Sequence, residues 1–290
     1  MSGFPIQILS NWIRTRGSDA GLQELGSLLG VPVEELMSIE TNKQMCYRPF
    51  TIRKRGGGKR HIVAPSSPLK LLQRHLLHRY LNQQPVHEAA TAFRSGFSIA
   101  THARRHLGQT LVLTVDLADF FPSTEARRVR RWFCELGWNG EALKILMRLC
   151  VYRGGLPQGA PTSPALSNLV NRRLDAELSE LATLHGARYS RYCDDLAFSW
   201  GTDVEPPAFR QQIEDRLGRF AYRIQPTKGW RLQHGESRPE ITGVVLARRR
   251  LRLSESILQR IRRLKSRWFT KDAAVRQQLQ GYRGLRKMLK

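Results

Sequence analysis

Two short runs constrain this chain more than anything else in it. Leu111-Val112-Leu113-Thr114-Val115 is a compact apolar stretch that ends directly on Asp116. A continuous apolar run of this length fits a buried strand, and an acid at its end sits at the rim of a sheet. Further on, Arg188-Tyr189-Ser190-Arg191-Tyr192 leads into Asp194-Asp195, and Leu196-Ala197-Phe198-Ser199-Trp200 leads away with no proline or glycine before Gly201. This reads as a hairpin with two acids at its tip. If the two elements are neighbours in one sheet, three carboxylates converge. Close carboxylates raise one another's proton affinity, and a shared proton or divalent cations relieve them.

Composition favours the cations. Lys and Arg number 48 against 24 acids, a net charge of +24 that would repel itself unless a polyanion were the working partner. Nucleic acid is the expected partner, and magnesium the expected counterion of the acids. Two such ions about 3.5–4 Å apart activate an attacking hydroxyl and stabilise a leaving pyrophosphate, an arrangement that polymerases and nucleases share. The positive charge is concentrated: Arg248 to Lys290 holds 15 basic and 2 acidic residues, a surplus of 13 of the net 24, and this segment is expected to bind phosphate. Cys46, Cys134, Cys150 and Cys193 are widely separated, without metal-binding or disulfide-framework spacing, and read as reduced thiols in a cytoplasm. No apolar run approaches 18 residues, so neither export nor membrane spanning is expected.

The rest of the chain reads as alternating helices and hairpins. Residues 19–40 suggest helix, turn at Gly30, helix, a pair expected to pack rather than to read DNA. Tyr47 to Ala64 is a hairpin whose tip, Arg53 to Arg60, combines three glycines with five cations and suits close approach to phosphate. Pro68–Asn82 is helical, Arg127–Cys150 is helical with a break near Gly137 and Gly140, and Ser163–Leu184 is one longer helix. Apolar positions Ile257, Ile261, Leu264 and Trp268, then Val275, Leu279, Tyr282 and Leu285, mark two basic amphipathic helices.

Three motifs in order carry a resemblance. Tyr192-Cys193-Asp194-Asp195 resembles the Y-x-D-D signature of reverse transcriptases, and Asp116-Leu117-Ala118-Asp119-Phe120-Phe121-Pro122-Ser123 their first palm motif. Between them, Leu156-Pro157-Gln158-Gly159-Ala160-Pro161-Thr162-Ser163-Pro164 resembles their L-P-Q-G-x-x-x-S-P motif. The resemblance narrows to bacterial retron enzymes through Pro85 to Ala90, Phe93 to Ile99 and His102-Ala103-Arg104-Arg105-His106, the last similar to N-A-x-x-H with His102 replacing Asn. Ile241-Thr242-Gly243 is similar to the retron V-T-G triplet, and Cys193 stands where Ala is common.

The resemblance implies an α+β right-hand polymerase: fingers, a palm with an antiparallel sheet flanked by helices, and a small helical thumb. Residues 1–45 would form an N-terminal helical segment, 46–240 fingers and palm, and 241–290 the basic thumb. Asp116, Asp194 and Asp195 would be catalytic and bind two Mg2+, with the Leu117 carbonyl an extra ligand. Phe121 would lie under the sugar and exclude a ribose 2′-hydroxyl; Lys59, Arg60, Gln158, Gly159 and Lys228 would meet the nucleotide. His102, His106, Thr242, Gly243, Arg262, Arg263, Lys265 and Arg267 would contact RNA. The implied activity is RNA-directed DNA synthesis on a structured noncoding RNA, from deoxynucleoside triphosphates and primed by an RNA 2′-hydroxyl, giving RNA-linked DNA. An accessory effector protein in phage defence is the implied partner. A non-retron bacterial reverse transcriptase and a noncatalytic RNA-binding scaffold are the alternative readings.

Overall fold

The computed structural model describes residues 18–39, 42–53, 57–247, 250–266 and 273–289. Lys54, Arg55 and Gly56 of the hairpin tip, and Arg267 with Trp268, lie outside the described residues. The chain forms two compact units, each discontinuous in sequence: the described residues up to Val86 join Asp119–Arg172, and His87–Ala118 joins the chain from Arg173 onward.

The first unit is mainly helical. Its antiparallel hairpin pairs β1 (Tyr47–Arg53) with β2 (Lys59–Pro65), Phe50 opposite Ile62 and Ile52 opposite Arg60. The helices Ser18–Leu29 and Val33–Ser38 are joined at Gly30, whose φ of +75° a glycine adopts without a Cβ penalty. The first helix ends with its last carbonyls satisfied from outside: His75 bonds the Leu29 oxygen and Arg79 donates to the Leu28 oxygen at 3.2 Å. Leu25, Leu29 and Leu36 from this pair join Leu69, Leu72 and Leu76 of Ser67–Arg79 in one core with Val129, Phe133, Leu146 and Leu149. The pair packs, as expected.

The expected single helix over Ser163–Leu184 is two helices, Ser163–Val170 and Arg172–Leu184. Asn171 interrupts it: its amide donates to the Ser167 carbonyl at 2.7 Å, and Arg128 bonds its side-chain oxygen. Side chains of this type offer the backbone a competing partner and favour helix ends.

The second unit is built on a four-stranded antiparallel sheet in the order β4-β5-β3-β6, where β3 is Leu111–Asp116, β4 Arg188–Tyr192, β5 Asp195–Trp200 and β6 Trp230–His234. β3 is buried along Leu111–Val115, as a two-faced apolar strand should be, and only Asp116 emerges. Helix Phe209–Arg219 covers the sheet through Phe209, Ile213 and Leu217, with the Phe209 ring edge-on to Phe198 and Trp200. A second sheet, β7 (Glu240–Ile241), β8 (Val244–Ala247) and β9 (Arg250–Leu253), shares a small core with Ala100, Ala103, Val112 and Ala197. The basic helices Glu255–Ser266 and Ala273–Met288 pack through Ile261, Leu264, Val275 and Leu279, which turns most of their Lys and Arg to solvent. The antiparallel sheets with separate helices make the fold α+β. Among the described residues, no helix is long and apolar enough to cross a membrane.

Candidate active site

The three acids meet at one rim of the second unit's sheet. Asp116 and Asp195 are register partners on β3 and β5. Directly opposed residues of an antiparallel pair hold their Cβ atoms about 4.5–5.5 Å apart, within mutual electrostatic reach. Asp194 occupies the turn between β4 and β5, and its carbonyl accepts the Leu117 N–H at 2.9 Å, so the turn is fastened to the residue after Asp116. Cys193 adopts a left-handed φ of +61°, which closes the two-residue turn. The chain returns to the site once more. Gln225 N–H donates to the Asp116 carbonyl at 2.9 Å, Ala118 N–H donates to the Arg223 carbonyl at 2.8 Å, and the Lys228 ammonium reaches Asp116 Oδ1 at 2.6 Å.

The electrostatics follow from this crowding. Burial and the neighbouring Asp116 and Asp194 push Asp195 up to about 7, against the relief offered by Lys228. Burial raises Asp194 as well, partly offset by hydrogen bonds to its backbone and to Cys193. The Cys193 thiol is itself raised, by burial and then by Asp194, and stays protonated. The donor set is therefore carboxylate oxygen, the chemistry that suits a hard divalent cation. Among the described residues no group of three or more acids, histidines or cysteines closes a coordination sphere, and Lys228 supplies the positive charge beside Asp116. The residues fit a metal in kind.

Residues 52–244 match the reverse transcriptase (RNA-dependent DNA polymerase) family. The chain belongs to the reverse transcriptase family, on its retron branch. It is 30% identical over 250 residues to the retron Ec86 reverse transcriptase of Escherichia coli, covering 83% of this chain and 76% of that one. To the retron Mx162 reverse transcriptase of Myxococcus xanthus it is 34% identical, over 77% of this chain and 53% of the relative. To the retron Mx65 reverse transcriptase of the same organism it is 39% identical over 63% and 48%. The match thus spans about half the length of the two Myxococcus relatives.

The remaining expected site residues fall in different places. In the first unit, Lys59 and Arg60 are exposed at the start of β2. The Gln158 carbonyl accepts the Val63 N–H at 2.8 Å, which ties the Pro-Gln-Gly loop to the hairpin. Gly159 has φ +136°, and an added Cβ would lie 3.0 Å from both the Val63 oxygen and the Ile62 side chain. Only glycine fits there. Phe121 is half-buried against the first unit's core, its ring edge-on to Phe120.

In the second unit, Arg262, Arg263 and Lys265 are exposed, Arg262 pairing with Glu255, whereas Arg267 lies outside the described residues. Thr242 and Gly243 form a turn with φ of +47° and +85°. The Thr242 hydroxyl is buried without a hydrogen bond among the described residues, and a Cβ on Gly243 would meet Ile257 at 2.6 Å. This turn seats the helix Glu255–Ser266.

His102 and His106 require a correction. Both are fully buried and cannot face RNA. His106 bonds Ser199 and Ser190 through its two ring nitrogens, each at 2.7 Å, and Ser190 bonds His102 Nδ1 at 2.8 Å. Burial, then Arg105 and Arg188, lowers His106 to about 3, so it is a neutral tie between β4 and β5. Sequence reading also missed the buried pair Arg191 and Asp175 behind the turn. The signal for Asp175 was its place with Leu178 and Ala182 on the buried stripe of its helix.

Proposed function

We propose that this chain is the RNA-directed DNA polymerase of a retron, copying part of a structured noncoding RNA into RNA-linked single-stranded DNA. The observation that carries the proposal is the register pairing of Asp116 with Asp195, with Asp194 in the adjoining turn, in a chain of the reverse transcriptase family. In this reading the four-stranded sheet is the palm, the β1-β2 hairpin belongs to the fingers, and the two C-terminal basic helices form the thumb.

Asp116, Asp194 and Asp195 would hold two magnesium ions, with the Leu117 carbonyl as a further ligand. When bound, the ions make the priming hydroxyl a better nucleophile and neutralise the departing pyrophosphate. The chain's own residues orient and balance charge. Lys228, which pairs with Asp116, would turn its ammonium to the triphosphate. Lys59, Arg60, Gln158 and Gly159 would contact the incoming nucleotide, and the half-buried Phe121 would exclude a 2′-hydroxyl. The exposed cations of the C-terminal helices would grip RNA by shape and backbone charge, since A-form helices hide their base edges. Priming from an RNA 2′-hydroxyl, and an accessory effector protein in phage defence, follow from the retron resemblance.

The test is to express the chain with its native upstream DNA, extract the bound nucleic acid, and look for RNA-linked DNA beside an Asp194→Ala, Asp195→Ala control. Branched DNA in the intact preparation alone supports the proposal. Extension only on supplied RNA template and primer would make it a reverse transcriptase of another kind, and bound RNA without synthesis in either assay would make it a scaffold.

A further inference from the structure

The polar group most deeply committed to the second unit lies behind the acidic turn. Arg191 is the third residue before Asp194, at 0% exposure, and its partner Asp175 on the helix Arg172–Leu184 is equally buried. The guanidinium meets Asp175 with two parallel bonds, Nε to Oδ1 at 2.8 Å and Nη2 to Oδ2 at 2.6 Å. Tyr189 donates its hydroxyl to the same Oδ1 at 3.0 Å. The remaining Nη1 donates to the Cys193 carbonyl at 3.2 Å. Main-chain bonds fix the Arg191 position from the other side: its N–H donates to the Ala89 carbonyl, and its carbonyl accepts the Thr91 N–H and hydroxyl.

Burying an arginine and an aspartate together is not a route to stability, because desolvation offsets most of their attraction. Such a pair is better explained by what it holds. The held group is the turn: Cys193 has a left-handed backbone that side-chain-bearing residues rarely adopt, and its carbonyl is captured by Arg191 while the next carbonyl, of Asp194, is captured by Leu117 N–H. The two successive carbonyls that flank the Asp194 Cα are thereby pinned from two directions.

We propose that Arg191 is a positioning residue of the polymerase site, a planar fork that anchors on Asp175 and sets the turn presenting Asp194 and Asp195. This rests on the polymerase reading above. Lysine cannot replace it, because one ammonium on a flexible stem cannot span both Asp175 oxygens and the Cys193 carbonyl.

The test compares the full chain with Arg191→Lys and with the paired Arg191→Met, Asp175→Leu replacement, which removes both buried charges at once. Each is measured for unfolding temperature, hydrogen exchange of the 192–195 turn, Mn2+ binding by electron paramagnetic resonance, and primer extension. Arg191→Lys is expected to unfold near the parent temperature, yet to exchange the turn amides on the order of tenfold faster, the worth of one lost charge-assisted bond. Its half-saturating Mn2+ concentration rises severalfold, and kcat falls about 10- to 100-fold, the scale for a misplaced site, with KM for nucleotide and RNA affinity unchanged.

If Arg191→Lys fails to fold, the paired replacement carries the same expectations, since it leaves no charge unpaired. A folded variant of either kind with parent-like turn exchange and Mn2+ binding overturns the proposal. Should the parent chain itself not extend a primer, the polymerase reading fails, while exchange and Mn2+ binding still decide whether Arg191 sets the turn.

Discussion

Replacing His106 by Gln and lowering the pH tests whether the His102–His106 pair belongs to the core. His106 is fully buried, bonded to Ser190 and Ser199, and depressed to about 3 by burial and by Arg105 and Arg188. An unfolded histidine titrates near 6.5, so below that pH the unfolded chain takes up a proton that the folded chain refuses. The stability supplied by the neutral imidazole is complete above pH 6.5 and is lost as the pH falls towards 3. Linkage places the loss from this one group at about 1 kcal/mol at pH 5.5 and about 3 kcal/mol at pH 4.5.

Gln keeps an amide donor and acceptor for the two serines but carries no titratable proton. His106→Gln therefore starts less stable than the parent at pH 7.5, and the two converge by those amounts as the medium is acidified. Urea unfolding at pH 7.5, 6.5, 5.5 and 4.5 measures the difference, in which the titration of groups outside this pair largely cancels. His102, also held neutral, adds a loss of the same sign in both proteins. Parallel curves for parent and variant over that range would refute the reasoning and return His106 to a solvated surface.

At pH 6 Asp195, raised to about 7, retains its proton without metal. Half-saturating Mg2+ should therefore be about fivefold higher at pH 6 than at pH 7 and about tenfold higher than at pH 8, above which the dependence should flatten, as read by primer extension or Mn2+ titration. Gly159→Ala forces a Cβ to within 3.0 Å of the Val63 carbonyl at a φ of +136°. It should cost about 1–3 kcal/mol of local stability and break the Val63–Gln158 tie, read as raised KM for nucleotide with RNA binding intact. Arg262→Ala, Arg263→Ala and Lys265→Ala remove exposed cations. Each is expected to reduce the slope of log affinity for RNA against log salt by roughly 0.7–0.9 where the side chain meets a phosphate, measured by filter binding from 50 to 200 mM salt.

What the sequence displayed was set by how each element is buried. β3 announces itself because Leu111-Val112-Leu113-Thr114-Val115, four apolar residues and a β-branched threonine, suits a strand covered on both faces, and the acid that ends it is then placed by geometry. The β4-β5 hairpin was legible from two runs rich in aromatic or apolar residues flanking Asp194-Asp195, with no proline or glycine before Gly201. β6 was not: Trp230-Arg231-Leu232-Gln233-His234 lies at the sheet's edge, with Gln233 its one buried side chain, so no apolar alternation marks it. Asn171 hid a helix break because its effect depends on Arg128, distant in sequence. The RNA-contact reading of His102 and His106 came from their place in the motif similar to N-A-x-x-H, although Ile99, His102, Ala103 and His106 fall at the spacing of an inward helical face and His102, Ala103 and His106 are buried. The fingers, palm and thumb boundaries depend on the family resemblance, and no hydrophobic pattern in the chain marks them.

The loop between Tyr222 and Trp230 shows why some of the site left no trace in the side chains at all. It contributes to the acidic rim through its backbone: Arg223 carbonyl accepts Ala118 N–H, and Gln225 N–H donates to the carbonyl of Asp116. Gln225 then turns the chain, its own carbonyl accepting the N–H of Lys228 at 3.2 Å and of Gly229 at 3.0 Å. One residue therefore fixes the Asp116 main chain and also places the ammonium that answers its carboxylate. Because both ties are main-chain groups, many side chains at Gln225 would serve, and only Lys228 and Gly229, with its φ of +58°, are constrained by identity. A rim of mutually repelling acids needs a rigid support, and this loop supplies it through its backbone bonds at Arg223 and Gln225 while its Lys228 side chain offers Asp116 a counter-charge.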